Sequence, residues 1–103
     1  MDQVARYVNM IAEPGRGEEL TGLLLKAADD LLNDPACLLY LINHDKTDPD
    51  AVWVTEVWRS QDDLDAALAK IRGSGETAAA MRVVASAQIV ELDLLGGKGL
   101  PSS

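Results

Sequence analysis

The spacing of apolar residues changes several times along the chain, and each change marks an element. Residues 4–12 are rich in Val, Tyr and Ile and stop at Pro14-Gly15, which predicts a strand ending in a turn. From residue 18 to about 32, Leu20, Leu23, Leu24, Ala27 and Leu31 fall at helical spacing, with acids in the first turn and Pro35 just beyond. Residues 37–43 form a second apolar run of strand length, HDKTDPD has the polar, proline-containing character of a hairpin loop, and residues 51–59 return as a third strand. Ser60 is a natural N-cap, Asp63 resembles the acid of a capping box, and Leu64, Ala67, Leu68 and Ile71 form the apolar stripe of a second helix. Gly73-Ser74-Gly75 breaks that helix, and a further short one can run from residue 76 to about 85 with Ser74 as its cap. Residues 88–95 alternate, with Val90, Leu92 and Leu94 on one face and Glu91 and Asp93 on the other, which predicts a fourth strand.

The order is β-α-β-β-α-β, which predicts an α+β, ferredoxin-like domain over residues 1–95, an antiparallel sheet with helices on one face, and a flexible tail over 96–103. The second and third strands are apolar on both faces. Leu39 and Leu41 oppose Leu38, Tyr40 and Ile42, and Val52 and Val54 oppose Trp53 and Val57. Helices can cover only one face, so the other is expected to meet a second copy in a sheet-to-sheet homodimer.

Composition narrows the function classes. At 103 residues one core is feasible, since a chain of this size buries roughly two-thirds of its unfolded surface. The net charge of −8, from 17 acidic and 9 basic residues, would repel a nucleic-acid backbone. The single Cys37 has no internal disulfide partner and sits in the apolar run CLLYLI, which reads as a buried structural thiol in a reducing cytoplasm. The start MDQVARYVNM lacks the pattern of a secretory leader, and no apolar run approaches the ~20 residues that span a bilayer, so neither export nor membrane insertion is expected. His44 and Cys37 alone make no standard zinc site, HDKTDPD lacks the calcium-loop spacing, and no nucleophile elbow or phosphate-binding loop is present. His44 reads as a solvated loop residue.

What remains is a set of polar groups on apolar strands. Tyr7 and Asn9 share one face of the first strand, and Glu56 and Trp58 share one face of the third. A mid-strand amide such as Asn9 either finds a hydrogen-bond partner or faces a cavity with water or ligand. Trp58 taken alone reads equally as packing at a strand-to-helix junction, and Glu56 can simply pair with Arg6 or Arg59.

The segment TEVWRSQDDLDAAL resembles the acid-hydrophobe-Trp-x-Ser stretch, leading into an acidic helix start, of the antibiotic biosynthesis monooxygenase family, and the resemblance runs from ARYVNMIAEPGRGEEL to IVELDLL. It implies a dimeric α+β barrel. The chain looks most like the family's cofactor-independent oxygenases of aromatic polyketide biosynthesis, in some of which an Asn matches Asn9 and a Trp matches Trp58. That resemblance implies Asn9 and Trp58 as catalytic residues and no metal or cofactor; Tyr7 and Glu56, which share their strand faces, are expected as substrate-binding residues beside them. The implied reaction oxidises a phenolic, hydroquinone-like or anthrone-type aromatic with O2 to a quinone, the substrate itself donating the electrons. The resemblance has gaps. Haem-degrading relatives carry a helix Trp where this chain has Ala67, and a haem-ligating His in a region where this chain has none. Some quinone-forming relatives have an Asn at Val54 and a helix Tyr at Leu64. A non-catalytic ligand-binding or structural dimer, or an isomerase on the same fold, stays open at this point.

Overall fold

The computed structural model describes residues 3–99, so residues 1–2 of the expected domain and 100–103 of the expected tail lie outside the described residues. The elements are β1 (Val4–Ala12), α1 (Gly17–Asp30), β2 (Cys37–His44), β3 (Ala51–Trp58), α2 (Gln61–Arg72), α3 (Gly75–Val83) and β4 (Val84–Asp93). They form one sheet in the order β2-β3-β1-β4, with every neighbouring pair antiparallel. This is the expected ferredoxin-like βαββαβ arrangement.

Local chemistry explains most boundaries. The Ser60 hydroxyl accepts the Asp63 N–H at 3.1 Å and donates to the Asp63 carboxylate at 2.9 Å, so α2 starts as soon as β3 ends. Ser74 caps α3 in the same way through the Thr77 N–H at 3.1 Å. One boundary differs from expectation. β4 begins at Val84, because Ser86 and Ala87 pair with Ile11 and Met10 of β1. The small residues of VASAQ suit a helix by composition, and strand pairing overrides that preference.

Register assigns every side chain to a face. Val4, Arg6, Val8 and Met10 of β1 lie opposite Trp58, Glu56, Val54 and Val52 of β3, and these residues, with Ala12, are on the face the helices cover. The covered face holds two separate apolar clusters. Val8, Ala12, Leu20, Leu24, Val52, Val54 and Val83 form one, and Val4, Trp58 and Leu64 form the other. Ala5, Tyr7, Asn9 and Ile11 lie on the opposite face with Val57, Thr55, Trp53 and Ala51, and Tyr7 and Trp53 there are 48% and 46% exposed.

Candidate functional site

Between the two clusters a polar row crosses the covered face. In register it runs from Tyr40 on β2 through Glu56 on β3 to Arg6 on β1. Strand alternation places Arg6 and Glu56 inward, because each is flanked at i±2 by residues that face the helices, and Tyr40 packs with Ile42 against the first cluster. Glu56 is the one buried charged residue among those described, at 4% exposure. Its Oε1 accepts the indole Nε1–H of Trp58 at 2.9 Å, and its Oε2 lies 3.8 Å from Nη1 of Arg6. Trp58 is 1% exposed and is the largest fully buried side chain. The Glu56–Trp58 contact follows from the i,i+2 spacing that puts both on one face of β3.

Electrostatics follow the burial. Desolvation pushes the Glu56 carboxyl above its ordinary value, against the opposing pull of the Trp58 hydrogen bond and the Arg6 charge. Burial, reinforced by the nearby Glu56 charge, likewise raises the Tyr40 phenol. Cys37 is half-buried rather than fully buried, and desolvation pushes its thiol up to about 11, which makes it a poor nucleophile. An open groove of about 150 Å³ lies beside the row, lined by Ala28 in the last turn of α1, Leu31 and Leu32 just beyond it, and residues 37–40 of β2. Cys37 and Tyr40 therefore stand both in this groove and opposite Trp58 and Glu56.

The structure unites two of the expected site residues and separates the other two. Glu56 and Trp58 touch, whereas Asn9 and Tyr7 lie on the opposite, open face. The expected Asn9–Trp58 pair does not form within one chain, because β1 pairs with β3 so that Asn9 faces Trp53 and Val4 faces Trp58. The Asn9 amide donates instead to the Val52 carbonyl at 3.4 Å, a long bond. Of the two partners considered for Glu56, Arg6 is the one found, since Arg59 pairs with Asp63 on the surface. Arg6 and Tyr40 are absent from the sequence-derived site. The signal for Arg6 is its place among apolar residues of β1, but that signal becomes legible only when register shows which face it shares.

Among the described residues no group of three or more His, Cys, Asp or Glu is placed to hold a metal ion, and no helix is long and apolar enough to cross a membrane. His44 ends β2, exposed, with its Nδ1 3.0 Å from the Asp45 carbonyl oxygen.

No curated protein matches the chain. Solved structures do. A protein from Chloroflexus aurantiacus J-10-fl that carries the antibiotic biosynthesis monooxygenase name is 29% identical, with a TM-score of 0.79 over 96% of this chain and 99% of that one. A protein of the same name from Caulobacter crescentus CB15 is 23% identical, with a TM-score of 0.78 over 92% of each chain. SnoaB, a cofactor-independent oxygenase from Streptomyces nogalater, is 13% identical with a TM-score of 0.81 over 95% of this chain and 98% of that one, a likeness of fold. The sequence profile of the antibiotic biosynthesis monooxygenases matches residues 4–72, which span β1 to the end of α2 and include Arg6, Tyr40, Glu56 and Trp58, and the chain belongs to that family.

Proposed function

We propose that the protein is a monooxygenase that needs no added cofactor and oxidises a phenolic, hydroquinone-like or anthrone-type aromatic to a quinone with O2. The observation that carries this reading is the buried Glu56–Trp58 pair in the layer between sheet and helices of a chain of this family. The substrate's acidic O–H or C–H loses a proton, and the resulting anion passes an electron to O2. Recombination gives a peroxide at carbon. At an anthrone-type CH2 group, both hydrogens leave, one oxygen atom stays as the carbonyl, and the other departs as water.

Each side chain has a role in this scheme. A carboxylate whose proton affinity burial has raised is a better acceptor, so Glu56 takes the first proton. Trp58 holds Glu56 in place through Nε1 and presents its ring as a wall for the substrate. The dry layer around them strengthens every charge interaction as negative charge moves toward oxygen. Asn9 and Tyr7 belong in this reading to the open face, where a second copy of the chain covers them. The small aromatic and O2 are the reactants, and the setting is the cytoplasm.

Oxygen uptake against a panel of such aromatics, with metal-free protein lacking flavin or haem absorption, tests the reading. Trp58→Phe and Glu56→Gln should each slow turnover by about 10²-fold, the scale of losing one charge-stabilising group in a dry site. Asn9→Ala probes the other face, and a loss equal to that of Trp58→Phe with the oligomer intact would move the site there. The near-complete closure around Trp58 favours a second reading, a non-catalytic structural or ligand-binding dimer. Absence of uptake above the uncatalysed rate across the panel would leave that reading standing.

A further inference from the structure

Arg6 projects from β1 onto a face whose other β1 residues are Val4, Val8, Met10 and Ala12. A guanidinium there is costly unless its donors are used. The protein uses them poorly. The Glu56 carboxylate stands 3.8 Å from Nη1, beyond the range of a charge-assisted hydrogen bond, and spends its other oxygen on Trp58. The Arg6 Nε is buried, and none of the described residues accepts its hydrogen. A structural Arg–carboxylate pair would close the fork from both sides. Here a directional cationic donor is left for something else.

The neighbouring groove bounds the size of that partner. Its volume is about 150 Å³, and its surface is mixed, slightly more polar than apolar, with Cys37 and Tyr40 among the residues that line it. A space of roughly this size has room for one benzene-sized ring, whereas sites for larger ligands run to about 300 Å³ or more. Two strand spacings, about 10 Å, separate the backbones of Tyr40 and Arg6, a span that their inward side chains and one ring can fill.

The geometry points to Arg6 as the substrate anchor of this site: its free Nε–H takes the ionised oxygen of a single-ring phenol, and the groove at Cys37 and Tyr40 receives the ring's far edge. The inference narrows the substrate class of the oxidation reading and rests on that reading only for turnover. Binding is independent of it.

The test uses 4-nitrophenol, whose visible band reports whether the bound molecule is ionised. Wild-type protein should bind it as the phenolate at a pH where the free probe is mostly neutral. Arg6→Lys keeps a cation opposite Glu56 but lacks the Nε–H. It should bind on the order of tenfold more weakly or worse and lose the spectral shift, while melting as wild type does. Anthrone, with three fused rings, should bind more weakly than the nitrophenol. Unchanged affinity and spectrum in Arg6→Lys would overturn the inference, and so would wild-type binding of the neutral phenol, a readout that needs no variant to fold. Failure of the wild type to bind, or anthrone binding as tightly, would overturn it too. Arg6-dependent binding without oxygen uptake would instead remove the oxidation reading and leave this one intact.

Discussion

Glu56 carries an ionisable group at a position where 4% of it meets solvent, so its titration is coupled to folding. Its folded value is raised above the ordinary 4.5. Below 4.5 the carboxyl is protonated in both states and its full contribution to stability is present. As the pH rises through the raised value, the native state must ionise against burial, and that contribution is lost. Asp63, held down by hydrogen bonds from Arg59 and Ser60, and Asp45, held down by hydrogen bonds from Thr47, act in the opposite sense and lose their contributions as the pH falls. Comparison with Glu56→Gln isolates the buried group, because Gln keeps an oxygen for the Trp58 Nε1–H but does not titrate. In urea unfolding, stability of the wild type minus that of the variant should decline as the pH rises from 4.5 and then level off. A difference that is flat or rises would show that Glu56 is not held toward its neutral form. At this scale the sequence is informative within a strand: Glu56 and Trp58 sit at i,i+2, and their contact is found at 2.9 Å.

At the scale of elements, α1 depends on a residue far away in sequence. Its N-cap position, Arg16, contributes no side-chain cap. Asp50, just before β3, does so instead. Its carboxylate accepts the Gly17 N–H at 2.8 Å and the Gly15 N–H at 2.9 Å, placing a negative charge at the positive end of the helix. Asp50→Ala should therefore cost about 1–2 kcal/mol, and Asp50→Asn less. Gly17 is tighter still, because a Cβ there would fall on the Pro49 carbonyl. Gly17→Ala should cost more than Asp50→Ala, since backbone must move. Gly22, inside the same helix, has nothing within 4 Å of a Cβ, so Gly22→Ala should stabilise by about 0.5–1 kcal/mol. Chemical denaturation ranks all four, and a Gly17→Ala no worse than Gly22→Ala would disprove the close approach. The element order is readable from period and punctuation, down to the Ser60 and Ser74 caps. The Asp50 cap is not, because HDKTDPD reads only as a polar loop until the fold brings it to Gly17. The start of β4 is hidden for a related reason, being set by pairing with β1.

The whole molecule decides what no strand reveals alone. Alternation sorts the residues of β1 into two sets and those of β3 into two sets, but only register says which sets share a side. A one-residue change of register inverts the answer. That is why Asn9 and Trp58 are compatible in sequence and apart in space, while Arg6, Glu56 and Tyr40 meet. The same register gathers Tyr7, Ile11, Leu41, Trp53, Val90 and Leu92 on the face without helices. Every position of β4 after Val84 is also exposed in the single chain. Scattered surface apolar residues need no cover, but a contiguous sheet face of this kind does. We propose that a second copy packing sheet to sheet supplies it, with Trp53 near the middle because it sits on β3 between Asn43 of β2 and Asn9 of β1. Sedimentation equilibrium at micromolar concentration should give twice the chain mass of 11.0 kDa, and the thermal midpoint should rise with protein concentration. Trp53→Lys should shift the mass toward the monomer, because a charge opposed to its own copy across an apolar contact is costly to desolvate. Met81→Lys, on α3 and 66% exposed, should leave the mass unchanged. A wild-type monomer throughout the micromolar range would mean that the open face faces water and that the dimer does not exist. A dimer untouched by Trp53→Lys would mean that the two copies meet through some other surface, leaving Tyr7 and Asn9 open to solvent or to a ligand.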